Sequence, residues 1–146
     1  MKKLIAIVLL LVFAFSIAIA EEEETYKASL AGWNFELQNW FWSSDNKSNK
    51  VIVLQFYAEN VSAKWNIFEY DVEFKLFQDG IRLEEAFYVK DVDPKKLSKE
   101  TRKGAKIDVA IPYVVENIYS DIEIEIYDGS IYFFEQDPIK WTIKVK

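Results

Sequence analysis

The apolar positions of the chain alternate with polar ones over short stretches, as in β-strands. In residues 70–88 two such stretches flank Asp79 and Gly80. Asp-Gly between alternating runs predicts a β-hairpin, because a type I′ turn needs positive φ at both central residues. The inward positions on the two sides of the turn are predicted to be Val72, Phe74, Leu76, Ile81 and Leu83. We expect this hairpin to lie in the middle of an all-β domain.

Two aromatic-rich strands are predicted before the hairpin. Residues 33–42 begin as an alternating strand with Trp33, Phe35 and Leu37 on one face. Residues 50–60 form a nearly continuous apolar run, and its first half has no polar face. A run of this kind is typical of a central strand that is covered on both sides.

Further strands are predicted in the C-terminal half. Residues 106–113 and 121–127 alternate cleanly, and Pro112 predicts an edge or a bulge because proline cannot donate to a strand ladder. A second hairpin turn at 128–129 would lead into a strand at 131–134. The last strand has an inner face made of Trp141, Ile143 and Val145.

The connection at residues 91–104 is polar and rich in lysine, which suits a crossover between two sheets. Asp93 and Pro94 resemble a helix N-cap followed by a proline at the first helical position, so one helical turn is expected there. The sequence therefore predicts about eight short strands and no long helix. This pattern favours an antiparallel β-sandwich.

The N-terminus has the features of a secretory signal peptide. Lys2 and Lys3 precede an apolar run at 4–19, and small residues at Ala18 and Ala20 favour cleavage after Ala20. The alternative is an uncleaved membrane anchor, for which the run is somewhat short. The predicted organisation is a signal peptide at 1–20, an acidic tail at 21–32 and a β-sandwich at 33–146.

Charge and residue types narrow the possible functions. The formal net charge of −6 becomes −8 once Lys2 and Lys3 are removed with the signal peptide. Such an acidic chain argues against nucleic-acid binding and against docking on anionic lipid. The chain has no Cys and no His, which excludes Ser-His-Asp and Cys-His nucleophile systems and the usual zinc ligand sets. We therefore predict a protein that is not an enzyme, has no cofactor and is not stably inserted in a membrane after cleavage.

Three short motifs give the chain a family resemblance. They are Phe56 to Asn60 (FYAEN), Phe77 to Gly80 (FQDG) followed by Ile-Arg-Leu, and Lys103-Gly104 ahead of the strand at Lys106. Over residues 33–128 the chain resembles secreted immunoglobulin-like sandwich domains of unknown function, which occur in bacterial lipoproteins and cell-surface proteins. The resemblance implies an immunoglobulin-like β-sandwich of about eight strands and an extracytoplasmic binding or structural role. The chain lacks the lipid-attachment Cys of such lipoproteins.

Tryptophan side chains are the candidate binding residues. Trp40 and Trp42 share one face of a strand and Phe41 takes the other, while Trp65 lies in a connection. Exposed Trp rings would stack on a sugar or anchor a protein partner. The alternative is that these aromatic residues fill the core.

Carboxylates offer two further possibilities. Asp121, Glu123, Glu125 and Asp128 form either a Ca²⁺ site or a solvated outer face. A glycosidase pair at Glu84 and Glu85 would need a cleft, which the sequence does not show. The predicted function is a secreted non-catalytic module that binds a protein or cell-envelope partner. The alternative is a carbohydrate-binding module that recognises a polysaccharide through Trp40, Trp42 and Trp65.

Overall fold

The chain folds into two antiparallel four-stranded sheets and one small two-stranded sheet. The computed structural model describes residues 25–131 and 135–145. The strands are β1 (Lys27–Leu30), β2 (Trp33–Ser44), β3 (Lys50–Asn60), β4 (Asn66–Ile67), β5 (Val72–Gln78), β6 (Ile81–Arg82), β7 (Glu100–Thr101), β8 (Lys106–Val114), β9 (Ile122–Asp128) and β10 (Ile139–Ile143). A one-turn helix, α1 (Phe68–Asp71), and a 3₁₀ helix (Pro94–Lys96) complete the fold.

The strand order of each sheet is simple. Sheet 1 has the order β1-β2-β3-β8, and sheet 2 has the order β10-β9-β5-β6. The small sheet pairs β4 with β7. Because every pairing between these strands is antiparallel, the predicted all-β antiparallel class is confirmed.

The two large sheets share one hydrophobic core. Phe35 and Phe56 from sheet 1 contact Phe74 from sheet 2, and the rings of Phe56 and Phe74 lie 4.8 Å apart. The predicted inward residues Val72, Phe74 and Leu76 are all buried. The sheets therefore pack face to face as the two layers of a sandwich.

Strand β3 lies in the middle of sheet 1 and is covered on both faces, as its apolar run predicts. Ile52 and Leu54 belong to the main core, whereas Val51 and Val53 belong to a second cluster on the opposite face. Residues 84–92, called the strap here, supply the cover for this second cluster. The strap residues that pack on it are Ala86, Val89 and Val92.

The strap also pairs with the edge of sheet 1. The Ala86 amide donates to the Pro112 carbonyl, and the Val114 amide donates to the Glu84 carbonyl, both at 2.8 Å. After β6 the chain therefore leaves sheet 2 and runs along β8, which protects that edge from further pairing. Pro112 lies in this edge strand, as predicted.

The hairpin turn is confirmed, but its predicted position in the domain is wrong. Asp79 and Gly80 have φ values of 53° and 78°. The hairpin lies at the edge of sheet 2 because β6 has only two residues before the chain turns towards sheet 1. Ile81, predicted to face inward, is 60% exposed for the same reason.

The fold begins earlier than predicted. Strand β1, at Lys27–Leu30, lies within the segment predicted to be a tail and pairs with β2. The predicted signal peptide at 1–20 and most of the predicted strand at 131–134 lie outside the described residues. Among the described residues, no helix is long and apolar enough to cross a bilayer.

The crossover between the sheets contains the expected helical turn. The Asp93 side chain accepts a hydrogen bond from the Lys95 amide at 3.1 Å and caps the 3₁₀ helix. The segment then adds β7 to the small sheet before it enters β8. This cap and the route from sheet 2 to sheet 1 match the sequence-based expectation.

Candidate functional site

Trp40 and Trp42 share a face, as predicted, and that face points towards the core. A β-bulge between Leu37 and Asn39 inserts one extra residue in β2. Strict alternation would have placed both Trp side chains on the outer face with Asn34, but the bulge reverses the alternation. The two half-buried rings lie 5.7 Å apart and pack against the main core. Both rings therefore contribute to the packing of the sandwich.

Trp65 lies at the other end of sheet 1. It is 63% exposed in the loop that follows Asn60, and Asn60 pairs with Trp33 at the start of β2. Trp42 pairs with Ile52, near the far end of the same two strands. The structure therefore does not bring the three predicted Trp residues together in one sugar-binding site.

The carboxylates of β9 interact with neighbouring side chains. Lys144 donates to Asp121 at 2.8 Å, and Tyr127 donates to Glu125 at 2.6 Å. Lys140 lies 3.2 Å from Glu125. Among residues 25–131 and 135–145, no group of three or more acidic side chains is arranged to hold a metal ion. Two of the four predicted acidic residues, Asp121 and Glu125, therefore form surface ion pairs.

The strap carries the most exposed aromatic pair of the described chain. Phe87 is 72% exposed and Tyr88 is 84% exposed. Tyr88 has a φ of 56°, and Asp91, three residues later, has a φ of 64°. Positive φ is unfavourable for a bulky side chain and is frequent at ligand-binding segments. Because Ala86 and Val89 are buried on either side, the fold holds the two rings outward in a fixed position.

A cleft of about 590 Å³ lies beside the strap. Its lining residues are Phe74, Arg82, Leu83, Glu84, Glu85, Phe87 and Tyr113. Partial burial, followed by the nearby charge of Glu69, raises the pKa of Glu85. Burial also raises the pKa of Tyr113, whose hydroxyl donates to the Phe74 carbonyl at 3.2 Å. The cleft thus combines apolar rings with charged groups, as binding clefts often do.

Sequence reasoning did not identify the strap as a site. Its apolar residues, Ala86, Val89 and Val92, are three positions apart. This spacing differs from the two-residue period of a strand, and the segment is too short to indicate a helix. The adjacent pair Phe87 and Tyr88 was visible in the sequence as two large aromatics between these small apolar positions. That pair was the one signal that could have indicated an exposed aromatic tip.

Two buried amides explain two of the three motifs that gave the family resemblance. Asn60 is fully buried and donates to the Thr101 carbonyl and hydroxyl, each at 3.1 Å, while its oxygen accepts from the Ser62 amide at 2.9 Å. Gln78 donates to the carbonyls of Asn117 and Ser120. These motif residues therefore hold loops in place and do not form a reactive site.

Solved structures with the same fold come from two bacteria. A chain described as a "putative lipoprotein" from Staphylococcus aureus subsp. aureus NCTC 8325 is 12% identical, with a TM-score of 0.64, over 82% of this chain and 88% of that one. A "putative lipoprotein" from Bacillus subtilis subsp. subtilis str. 168 is 11% identical, with a TM-score of 0.62, over 84% of this chain. This chain spans only 39% of the Bacillus protein.

Comparison at the level of sequence identifies a family. No curated protein matches the chain. The model of DUF5067, a domain of unknown function, matches residues 18–128. This match covers the sandwich from β1 to the end of β9 and includes the motifs built around Asn60 and Gln78. The chain therefore belongs to the DUF5067 family.

Proposed function

We propose that the protein is an extracytoplasmic, non-catalytic, immunoglobulin-like module that binds a protein partner of the cell envelope through the strap. The observation that carries the proposal is the pair of exposed rings at Phe87 and Tyr88. Aromatic side chains are enriched among the residues that dominate protein interfaces. Here they project from a backbone that is held by buried neighbours, so that little conformational entropy is lost on binding.

The strand order supports the immunoglobulin-like assignment. In that fold one sheet contains strands A, B and E, and the other contains C, F and G, with C′ added beside C in variable-type domains. The order β10-β9-β5-β6 corresponds to G-F-C-C′, and β2-β3-β8 corresponds to A-B-E. The crossover at 91–104 occupies the place of strand D, and β1 extends the other edge.

Two observations support a location outside the cytoplasm. The N-terminal sequence has the charged start, apolar run and small residues that a signal peptidase recognises. The Staphylococcus and Bacillus structures are each described as a "putative lipoprotein", and lipoproteins are a class of exported protein. The same reasoning favours an envelope component as the partner.

The arrangement of the cleft carboxylates supports a binding role over catalysis. Glycosidase carboxylates flank the scissile bond from two sides of a cleft. Glu84 and Glu85 are consecutive residues of the strap, so they do not face each other across a substrate position. The chain has no Cys and no His, so no thiolate or imidazole group can act as nucleophile or general base.

The proposal is tested by removing the aromatic tip. A Phe87→Ser/Tyr88→Ser double variant should lose a partner that the wild-type protein captures from an envelope extract of its host. A Tyr119→Ser variant is the matched control, because Tyr119 is 83% exposed and lies outside the strap, in the segment before β9. Equal capture by all three proteins, or no specific capture by the wild type, would refute the proposal.

A further inference from the structure

The loop at residues 61–65 and the turn after β7 form a second exposed surface, which we call the basic corner. It consists of Trp65 with Lys64, Arg102 and Lys103, all exposed. The Asn60 side-chain nitrogen lies 3.4 Å from the Lys64 carbonyl and 3.1 Å from the Thr101 carbonyl. One buried amide therefore holds the backbones of both segments together.

The basic corner is held in a fixed position. Asn60 fastens the start of the loop through Ser62, and the pairing of β4 with β7 fastens the end. A Cβ atom on Gly32 would lie 2.8 Å from the Ser62 Cβ, which shows how closely the loop packs on the β1–β2 turn. Trp65 and its basic neighbours are therefore presented to solvent by well-anchored backbone.

The cations of the basic corner differ from those of sheet 2. On sheet 2, Lys75, Lys140 and Lys144 lie 2.8–3.6 Å from carboxylates. Within the part of the chain that the structure describes, no carboxylate lies within 4.0 Å of the cationic groups of the basic corner. These charges are not neutralised locally and remain able to bind an external anion.

The acidic charge of the whole chain does not cancel this local effect. Surface charges farther apart than about 8 Å are largely screened at physiological ionic strength. Glu59 and Glu100 are the carboxylates nearest in sequence to the two segments, and Glu59 pairs with Lys106. The acidic residues of β9 belong to the other sheet. The net charge, −6 for the whole chain and −8 without Lys2 and Lys3, therefore averages over a chain in which one corner is basic.

We propose that the basic corner docks the protein on a membrane surface that carries anionic phospholipid. Lysine and arginine near such a surface are attracted by its negative potential. Trp side chains prefer the boundary between headgroups and hydrocarbon, where the ring is buried and its N–H stays wet. Val61, which is 40% exposed, adds apolar area to the same loop. This apolar content favours a bilayer over a soluble polyanion.

Vesicle co-sedimentation tests the proposal directly. The assay contains no envelope protein, so its result does not depend on the strap and its partner. The exported protein should bind phosphatidylcholine vesicles that contain 30% phosphatidylglycerol and should not bind pure phosphatidylcholine. A Lys64→Gln/Arg102→Gln/Lys103→Gln variant should bind the anionic vesicles roughly 100-fold more weakly, since each basic residue contributes about fivefold. All variants have the same N-terminal residues, so that any contribution of these residues to vesicle binding is equal in the proteins compared.

A variant with the same net charge provides the control. Lys47, Lys95 and Lys96 are exposed and lie outside both the basic corner and the strap, and their replacement by Gln should lower binding by less than about threefold. Equal losses in the two triple variants, or no binding of the wild type to anionic vesicles, would overturn the proposal.

Tryptophan fluorescence separates a membrane from a soluble polyanion. Trp65 is the one Trp of the five that is exposed, because Trp33 is buried and Trp40, Trp42 and Trp141 are half-buried. Its emission should shift to shorter wavelength on anionic vesicles, and the shift should be absent in Trp65→Phe. The membrane assignment would be overturned by two results together. Polyphosphate would displace the protein from the anionic vesicles, and the emission of Trp65 would show no shift on those vesicles.

Discussion

Asn60 is the residue on which the ordering of one end of the sandwich depends. Its side chain is fully buried and links the 61–65 loop to β7 through Ser62 and Thr101. Removing one partner from a buried hydrogen-bonded set leaves the remaining polar groups without compensation, which costs more than the hydrogen bond itself contributes.

We therefore predict that Asn60→Ala lowers the free energy of unfolding by about 2 kcal/mol. Urea denaturation measures this change. Asn46→Ala is the control, because Asn46 is exposed in a polar turn, and its effect should stay below about 0.5 kcal/mol. A loss of stability at Asn60 no larger than that at Asn46 would contradict this role.

Glu125 shows how a neighbouring hydroxyl group sets the titration of a carboxylate. The hydrogen bond from Tyr127 and the nearby Lys140 lower the pKa of Glu125, and the same hydrogen bond raises the pKa of Tyr127 to about 12. In Tyr127→Phe, the pKa of Glu125 should therefore rise towards its ordinary value. NMR titration of the Glu125 carboxyl carbon measures this shift.

The lowered pKa of Glu125 makes the stability of the protein depend on pH. A lowered carboxyl pKa gives stability that is present above the unfolded-state pKa, about 4.3, and is lost as the pH falls through the folded-state pKa. The stability difference between wild type and Tyr127→Phe should therefore shrink below about pH 4. Tyr119→Phe should leave the Glu125 titration unchanged, and an equal shift in both variants would refute the assignment.

Among the elements, the strap has a structural part and an exposed part. Val89 is buried against the outer face of β3, whereas Tyr88 beside it points into solvent. We predict that Val89→Ala lowers the free energy of unfolding by about 1–2 kcal/mol, because it removes two buried methyl groups and leaves a cavity.

The control for this prediction is Val61→Ala, since Val61 is 40% exposed. Its effect in the same thermal or urea denaturation should be below about 0.5 kcal/mol. Equal stability of the two variants would mean that the strap does not cover sheet 1. Tyr88→Gly should keep or slightly raise stability, because glycine tolerates the positive φ at this position.

The alternation of apolar and polar residues correctly predicted those strands whose apolar positions are the ones buried in the folded protein. Strands β5, β8 and β9 bury the residues that the alternation places inward, and the Asp79-Gly80 turn has the expected backbone. The bulge after Leu37 could not be predicted in this way, because the core position of Trp40 is what requires it. Tyr70 and Asp71, the first two residues of the predicted hairpin stretch, belong to α1 instead, and Phe68 of the same helix packs in the core.

The candidate sites were less predictable because they depend on contacts between distant parts of the chain. Trp65 was identified from its residue type, but Arg102 and Lys103 are brought close to it by the pairing of Asn66 with Thr101. The strap lies on β3, more than thirty residues earlier in the sequence. Alternation describes neighbours along a strand and contains no information about such contacts.

For the whole molecule, the two proposed surfaces lie at opposite ends of sheet 1. The strap covers β3 near Val51, and the basic corner adjoins its last residue, Asn60. A strand rises about 3.3 Å per residue, so that the two ends are about 30 Å apart. A module docked on a membrane through the basic corner would present Phe87 and Tyr88 away from the bilayer. This geometry suits a protein that displays a binding surface at the envelope.

The most direct test of the central claim is photo-crosslinking from position 88 in the native host. A photoreactive phenylalanine analogue at Tyr88 should give one discrete crosslinked protein in the envelope fraction. The same analogue at Tyr119 should give none, although the two positions are almost equally exposed, at 84% and 83%. The same crosslinked product from both positions, or no product from position 88, would contradict the claim that the strap is the binding surface.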